Sequence, residues 1–216
     1  DVARSNGFRS GENPVTAIKD AGVLPKVKVK VDHHDAMPWQ DVPAFYAELD
    51  QRSATAAKAL QFTILTACRT SEVLEMTWEE IDMSARLWTI PASRMKGGVI
   101  HRVPLTDAML HILEQMQALA STYVFEGQKR HKPLSNMSML MLLRRMRQGN
   151  ITVHGFRSSF RDWTAETASA PREVAETALA HQIGTDVERA YARSDLLERR
   201  SILMAVWGNH LTKTDP

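Results

Sequence analysis

His154 and Arg157 stand three residues apart in the stretch ITVHGFRSSFRDW, Ile151 to Trp163, and together they are the kind of pair that grips an anion. At helical spacing Phe156, Phe160 and Trp163 fall on one side while His154, Arg157 and Arg161 fall nearly opposite. One short helix therefore divides an aromatic face, expected in the core, from a cationic face, expected at a site. Thr152 occupies an N-cap position. It presents His154 and Arg157 in the first turns, where unpaired backbone N–H groups and the positive helix end favour negative charge. A phosphate is the natural guest. An isolated H-x-x-R would read as a solvated surface pair, and what changes the balance is its company elsewhere in the chain.

Arg69 falls where one helix ends at CRTSEVLEMTWEEID and another begins, a junction from which a long cation can project into a cleft; Glu72, three residues on, is close enough to brace its guanidinium. Taken alone, Arg69 is an ordinary C-terminal cation complementing a helix dipole. Lys96 lies at or near the tip of a hairpin, where lysine usually serves solubility but can also reach into a groove. Arg144, Arg145, Arg147, Arg157 and Arg161 crowd into eighteen residues, a density that suits either a phosphate backbone or two solvated helix faces.

The elements that must position these residues are mostly helices. Val42, Phe45, Tyr46 and Leu49 form one stripe, and Ala57, Leu60, Ile64 and Ala67 form another on a helix from about 53 to 67. Thr70 or Ser71 can cap the short helix that follows. LWTIP and VIHRVPL, separated by ASRMKGG, predict a hairpin turning at Gly97-Gly98, and 122–125 offers a third strand. Helices are predicted over 106–120 and 135–147, the latter stopped by Gly149, and over 171–179, where Pro171 takes the first position and His181 follows the end. Thr185 caps a short helix, DVERAYARS. Ser194 caps the last one, whose Leu196, Leu203 and Trp207 make an apolar stripe.

The chain has 216 residues, 44% of them hydrophobic, enough for one sizeable core, and a formal net charge of only +2, so overall charge does not announce a polyanionic partner. One cysteine, Cys68, excludes an internal disulfide and a cysteine-based zinc site and fits a reducing, cytoplasmic setting. No apolar run is long enough to span a bilayer, and the polar start has no signal-peptide core, so no membrane partner is expected. Residues 1–38 are expected to be the tail of a preceding domain plus a linker, with 39–216 as the main domain, and the start without Met suggests an excised fragment. His33, His34 and Asp35 belong to that linker, since nothing nearby completes a metal-ligand spacing.

In chain order, Arg69, Lys96, His154, Arg157, His181 and Tyr191 stand within ACRTSEVLEMTW, RMKGGVIHRVPL, TVHGFRSSFRDW, ALAH and ERAYARSD. This series resembles the catalytic domain of tyrosine recombinases, in particular the integrases of prophages and genomic islands, over roughly residues 36–210. The resemblance implies a mainly α fold with a small antiparallel sheet and DNA strand exchange through a 3′-phosphotyrosyl intermediate. It makes Tyr191 the nucleophile and Arg69 and Arg157 the grip on the non-bridging oxygens. His154 and His181 bond the phosphate or handle the tyrosine proton, Lys96 protonates the leaving 5′ oxygen, and Glu72 buttresses the site. Arg144, Arg145 and Arg161 are candidates for contacts to the DNA backbone.

The chemistry is sensible on its own terms: an anionic phosphodiester resists a phenolate until cations neutralise it, and arginine is permanently charged and planar. Energy stored in a phosphotyrosyl bond removes the need for ATP, and no G-x-x-x-x-G-K-[ST] occurs. No cofactor or metal is expected. The implied partners are double-stranded attachment sites, with four protomers assembling on two duplexes through the C-terminal helix and a monomer when free. The stripe on that helix has an alternative use, packing on its own domain. Rival readings are a type IB topoisomerase, which shares the chemistry but not the partner requirement, and a silent DNA-binding regulator, which six intact positions argue against. A metallohydrolase using His154 and His181 lacks a third ligand at suitable spacing.

Overall fold

The computed structural model describes residues 2–11, 13, 15–16, 18, 35–117, 121–167, 170–181 and 194–212. The chain divides into two compact units, residues Asp1–His33 and His34–Pro216. The described part of the first includes the helical turn Val2–Ser5. Tyr191, residues 186–193 of the DVERAYARS segment, and His33 and His34 lie outside the described residues.

The second unit is mainly helical with a small antiparallel sheet. Its helices are α1 (Val42–Asp50), α2 (Thr55–Thr66), α3 (Thr70–Leu74), α4 (Asp107–Gln117), α5 (Ser138–Arg145), α6 (Gly155–Glu166), α7 (Arg172–Ala178) and α8 (Leu197–Thr212). The strands β1 (Ile81–Asp82), β2 (Leu87–Ile90) and β3 (His101–Pro104) lie in the order β1-β2-β3. Among the described residues no helix is long and apolar enough to cross a membrane.

Helix α2 is the axis. The stripe predicted for it understates its burial, because every residue from Ala57 to Thr66 is buried. The Thr63 and Thr66 hydroxyls donate to Ala59 O and Phe62 O at 2.7 and 2.8 Å, and the Gln61 amide nitrogen donates to Asp50 of α1 at 2.8 Å. Around this axis the predicted stripes behave as core. Val42, Phe45, Tyr46 and Leu49 of α1 are buried, as are Phe156, Phe160 and Trp163 of α6. Phe45 stacks on Phe156, and Trp163 packs on Trp207 with ring centroids 4.8 Å apart.

The hairpin forms as predicted, with Gly98 in the left-handed region at φ +64°, but its third strand is β1 and not 122–125. Tyr123 makes only an isolated bridge to Thr77. In the β2–β3 register Ile90 faces His101 and Thr89 faces Arg102, so His101 and Val103 point inward while Arg102 points out. Trp88 of β2 meets Phe62 edge-on, seating the sheet against α2.

Several termini differ from expectation. Arg69, not Thr70 or Ser71, is the N-cap of α3, because the Glu72 carboxylate accepts the Arg69 backbone N–H at 2.8 Å. Pro171 is the N-cap of α7 and not its first residue. At the end of α5 the left-handed residue is Arg147, at φ 60°, so Gly149 is not what stops the helix. Residues 35–37, expected in a linker, lie across the start of α6. Thr152 N donates to Asp35 O at 3.1 Å, Ser159 Oγ donates to Met37 O, and Met37 is buried.

Helix α8 returns across α1, α2, α7 and β3. Leu203, Met204, Trp207 and Leu211 are buried there, and Trp207 Nε1 donates to Ile64 O at 2.9 Å. The apolar stripe predicted on this helix therefore packs on its own domain; the outer face carries exposed Ile202 and Val206.

Candidate active site

Two helices end in alanines with left-handed backbone, Ala67 after α2 at φ 51° and Ala180 after α7 at φ 50°. Helix C-termini leave carbonyls without intrahelical partners and carry partial negative charge, which suits a cation. Arg157 fills that role. Its Nη1 donates to Ala67 O and its Nη2 donates to Leu179 O at 2.7 Å, so the guanidinium ties together helix ends far apart in sequence. Arg157 is buried, 5% exposed, so it is not half of a solvated surface pair. Burial pushes its pKa below the usual arginine value, with Arg69 nearby acting in the same direction.

Arg69 emerges beside it. Nη1 donates to Glu72 Oε1 at 2.7 Å, and Nη2 reaches Ala180 O at 3.5 Å. Glu72 is buried, so the brace expected from the i,i+3 spacing is present: one carboxylate holds both the Arg69 guanidinium and the first turn of α3. His181 completes this group, its Nε2 3.1 Å from Arg157 Nη2 and its Nδ1 2.6 Å from Glu176 Oε2.

His154 is the N-cap of α6 and is exposed. The turn before it is held by Thr152, whose hydroxyl accepts the Gly155 N–H at 3.0 Å, so Thr152 caps the backbone one turn ahead of the helix. His154 and Arg69 line one cleft of about 650 Å³ together with Lys132, Ser135 and Asn136. Arg69, His154, Arg157 and His181 are thereby brought to one region. Lys96 is exposed at the hairpin tip. Two residues before it, Arg94 donates to Glu72 O at 3.2 and 3.3 Å and to both Glu80 oxygens at 2.8 and 2.6 Å, which fastens the base of the Lys96 loop to the Arg69 brace.

Arg145 lines a second cleft with Lys129 and Lys132, and Arg144 is exposed beside it. Arg161 is exposed but pairs with Glu176 Oε1 at 3.2 Å. Among the described residues no three His, Cys, Asp or Glu side chains gather so as to hold a metal ion. Cys68 is buried beside the site, and burial, followed by the Glu72 carboxylate, pushes its thiol up to about 12, so it is not a nucleophile.

Sequence reasoning missed His101, Glu176 and the Arg102–Asp195–Arg200 cluster. Arg200, 1% exposed, donates from Nε to Asp195 O at 2.7 Å and from Nη1 to Arg102 O, while Arg102 holds the Asp195 carboxylate at 2.8 and 2.7 Å. This fastens the chain entering α8 to β3. The ERR run gave no hint that its second arginine is interior.

His101 is buried on the inner face of β3, and desolvation, reinforced by Arg200, pushes its pKa down to about 4. The unfolded chain, titrating near 6.5, binds one more proton than the native state between those values. The His101 contribution to stability is therefore full above pH 6.5 and is lost as pH falls toward 4, by about 3 kcal/mol. Urea midpoints at pH 7 and pH 4.5 should show that loss, and His101→Gln should flatten the pH dependence. Parallel pH profiles for the two proteins would contradict the assignment.

Residues 36–197 match the sequence model of the phage integrase family. Prophage integrase IntA of Escherichia coli (strain K12) is 39% identical over 160 residues, covering 70% of this chain and 38% of that protein. The chain spans less than half the length of the first curated relatives it matches. Among solved structures, the integrase from mycobacterium phage Brujita aligns with a TM-score of 0.62 at 18% identity, over 93% of this chain and 69% of that one. A lambda integrase tetramer bound to a Holliday junction aligns at 0.57 and 18% identity, over 80% and 56%. With the family match running from the segment that crosses α6 to the first residue of α8, and so through every element that carries the arginine and histidine cluster, the chain belongs to the phage integrase family.

Proposed function

We propose that the chain is the catalytic part of a site-specific DNA recombinase that integrates or excises a mobile element. It would cleave and rejoin strands through a covalent 3′-phosphotyrosyl intermediate. The observation that carries this reading is the convergence of Arg69, Arg157 and His181 on the carbonyl-lined ends of α2 and α7, with Glu72 beneath.

In this reading Arg69 and Arg157 bind the non-bridging oxygens of a scissile phosphodiester. They neutralise the charge that would repel a phenolate. The Tyr191 oxygen forms a bond to phosphorus while the bond from phosphorus to the 5′ oxygen breaks. The phenol proton passes to an imidazole, His154 or His181, and Lys96 supplies a proton to the departing 5′ oxygen. One phosphoester replaces another, so a free 5′ hydroxyl of a partner strand can reverse the step, and no ATP or other cofactor enters. Arg144, Arg145 and Arg161 contact the flanking backbone.

The partner is double-stranded DNA carrying attachment sites, which puts the reaction in the cytoplasm, and recombination requires several protomers on two duplexes. The relatives' names as integrases and the neighbour described as a tetramer on a Holliday junction support this. If α8 meets a neighbour, the exposed Ile202 and Val206 are the side chains available for it.

The test is to incubate the protein with supercoiled plasmid, denature with detergent and look for covalently bound DNA. Adduct should form in excess EDTA, map to Tyr191 by peptide mass spectrometry and vanish in Tyr191→Phe. Adduct on another residue, or cleavage that needs a divalent ion, would overturn the proposal.

A further inference from the structure

We infer that Glu176 is a positioning residue that fixes which nitrogen of His181 faces the reacting phosphate. The inference rests on the function proposed above, in which His181 belongs to the phosphate site.

The local backbone explains why these two side chains meet. Helix α7 ends in a Schellman arrangement: His181 N donates to Glu176 O at 2.9 Å and Ala180 N donates to Thr177 O at 3.0 Å, with Ala180 left-handed. That geometry folds the second residue past the cap back over the third residue before it, a place commonly taken by an apolar contact. Here the two residues are His181 and Glu176, and the contact is a hydrogen bond of 2.6 Å from ring Nδ1 to carboxylate Oε2.

The proton's location follows from the donor inventory. Arg157 Nη2 lies 3.1 Å from His181 Nε2, and a guanidinium has no acceptor, so Nε2 must accept. The ring proton then sits on Nδ1 and is donated to Glu176. The opposite tautomer would aim an N–H at the guanidinium and leave the carboxylate facing a lone pair. His181 therefore keeps its lone pair at Nε2, on the side of the site, where Arg157 Nη2 donates to it; once that donor turns to a phosphate the nitrogen can take a proton, and the carboxylate behind the ring stabilises the imidazolium that results.

Glu176 is itself held. Its other oxygen, Oε1, pairs with Arg161 Nε at 3.2 Å and lies 3.9 Å from Arg172 Nε, and its side chain is only 12% exposed. Burial alone would raise its pKa, but His181, Arg161 and Arg172 outweigh it and hold the carboxyl below its ordinary range, so it stays ionised. Arg161, which the sequence offers as a DNA contact, thus also serves to orient Glu176.

The experiment combines a tautomer measurement with kinetics on the full chain. Long-range ¹H–¹⁵N correlation of histidine-labelled protein should show His181 protonated at Nδ1 and bare at Nε2, with the signals assigned by their loss in His181→Asn. In Glu176→Ala the ring should shift toward a tautomer mixture, and single-turnover cleavage should fall about 10²-fold while DNA affinity changes less than about twofold. Glu176→Gln, which conserves volume and can still accept the Nδ1 proton, should keep the tautomer yet cleave more slowly than wild type.

A wild-type ring protonated at Nε2, or an unchanged ring in Glu176→Ala, would overturn the inference. So would a cleavage loss in Glu176→Ala matched by an equal loss of DNA binding. Absence of any covalent adduct in wild type together with the expected tautomer would instead count against the function, leaving the geometry of the pair intact. If Glu176→Ala fails to fold, the wild-type spectrum and Glu176→Gln still decide the matter.

Discussion

Arg157→Ala is expected to abolish strand cleavage and to lower stability by about 2–5 kcal/mol, the cost of leaving two buried carbonyls without their donor at about 1–3 kcal/mol each. The guanidinium is buried and satisfies Ala67 O, Leu179 O and His181 Nε2 at once. Its loss leaves two helix-terminal carbonyls buried without their donor and severs the link between the ends of α2 and α7. Arg157→Lys separates the two roles. An ammonium retains the charge but lacks the planar fork that meets two carbonyls and a phosphate together, so cleavage should still fall by about 10²-fold or more with a smaller stability loss. Urea unfolding and single-turnover cleavage measure the two quantities. An alanine variant that unfolds at the wild-type midpoint and cleaves within tenfold would show that Arg157 is neither keystone nor phosphate ligand.

Gly155→Ala is the second large effect. A Cβ at this position would overlap Asp35 O and lie 2.9 Å from Ala36 Cα, both backbone atoms, so the strap of residues 35–37 would have to lift from the start of α6. Overpacking of this kind costs about 1–3 kcal/mol. Lifting the strap also weakens the Thr152 N to Asp35 O and Ser159 Oγ to Met37 O bonds that fix the turn carrying His154. Cleavage should therefore drop along with stability. Gly149→Ala is the control, since nothing lies within 4 Å of a Cβ there, and it should be neutral in both assays. A neutral Gly155→Ala would mean that the strap moves freely and that its contacts do not position His154.

The apolar stripes were legible because burial imposes a period on the sequence. Val42, Phe45, Tyr46 and Leu49, and likewise Phe156, Phe160 and Trp163, declare which face is inside without reference to anything distant. The hairpin was legible from its β-prone runs and Gly97-Gly98. The types of the candidate site residues were legible too, and so was the short-range Arg69–Glu72 pair.

What the sequence concealed was every feature set by partners far along the chain. Arg157 stands about 100° around the helix from Phe156, where a wheel leaves its direction open. The carbonyls that draw it inward belong to residues 90 and 22 positions away. Ala67 and Ala180 adopt a backbone usually announced by glycine, so neither helix end carried its customary signal. Strand β1 has two residues, too few for any alternation to register. Glu176 and His181 are five apart, a spacing that does not face across a regular helix and becomes a contact only once Ala180 reverses the chain.

The negative poles of α2 and α7 stand directly behind the two site arginines. Like-charged guanidiniums can therefore sit side by side with fixed partners in place of a mobile counterion. Under the proposed chemistry the two arginines are held ready by the fold itself and not by the arriving strand. Restraint on unwanted strand breakage is then not obtained by withholding these two arginines, which the helix ends hold side by side.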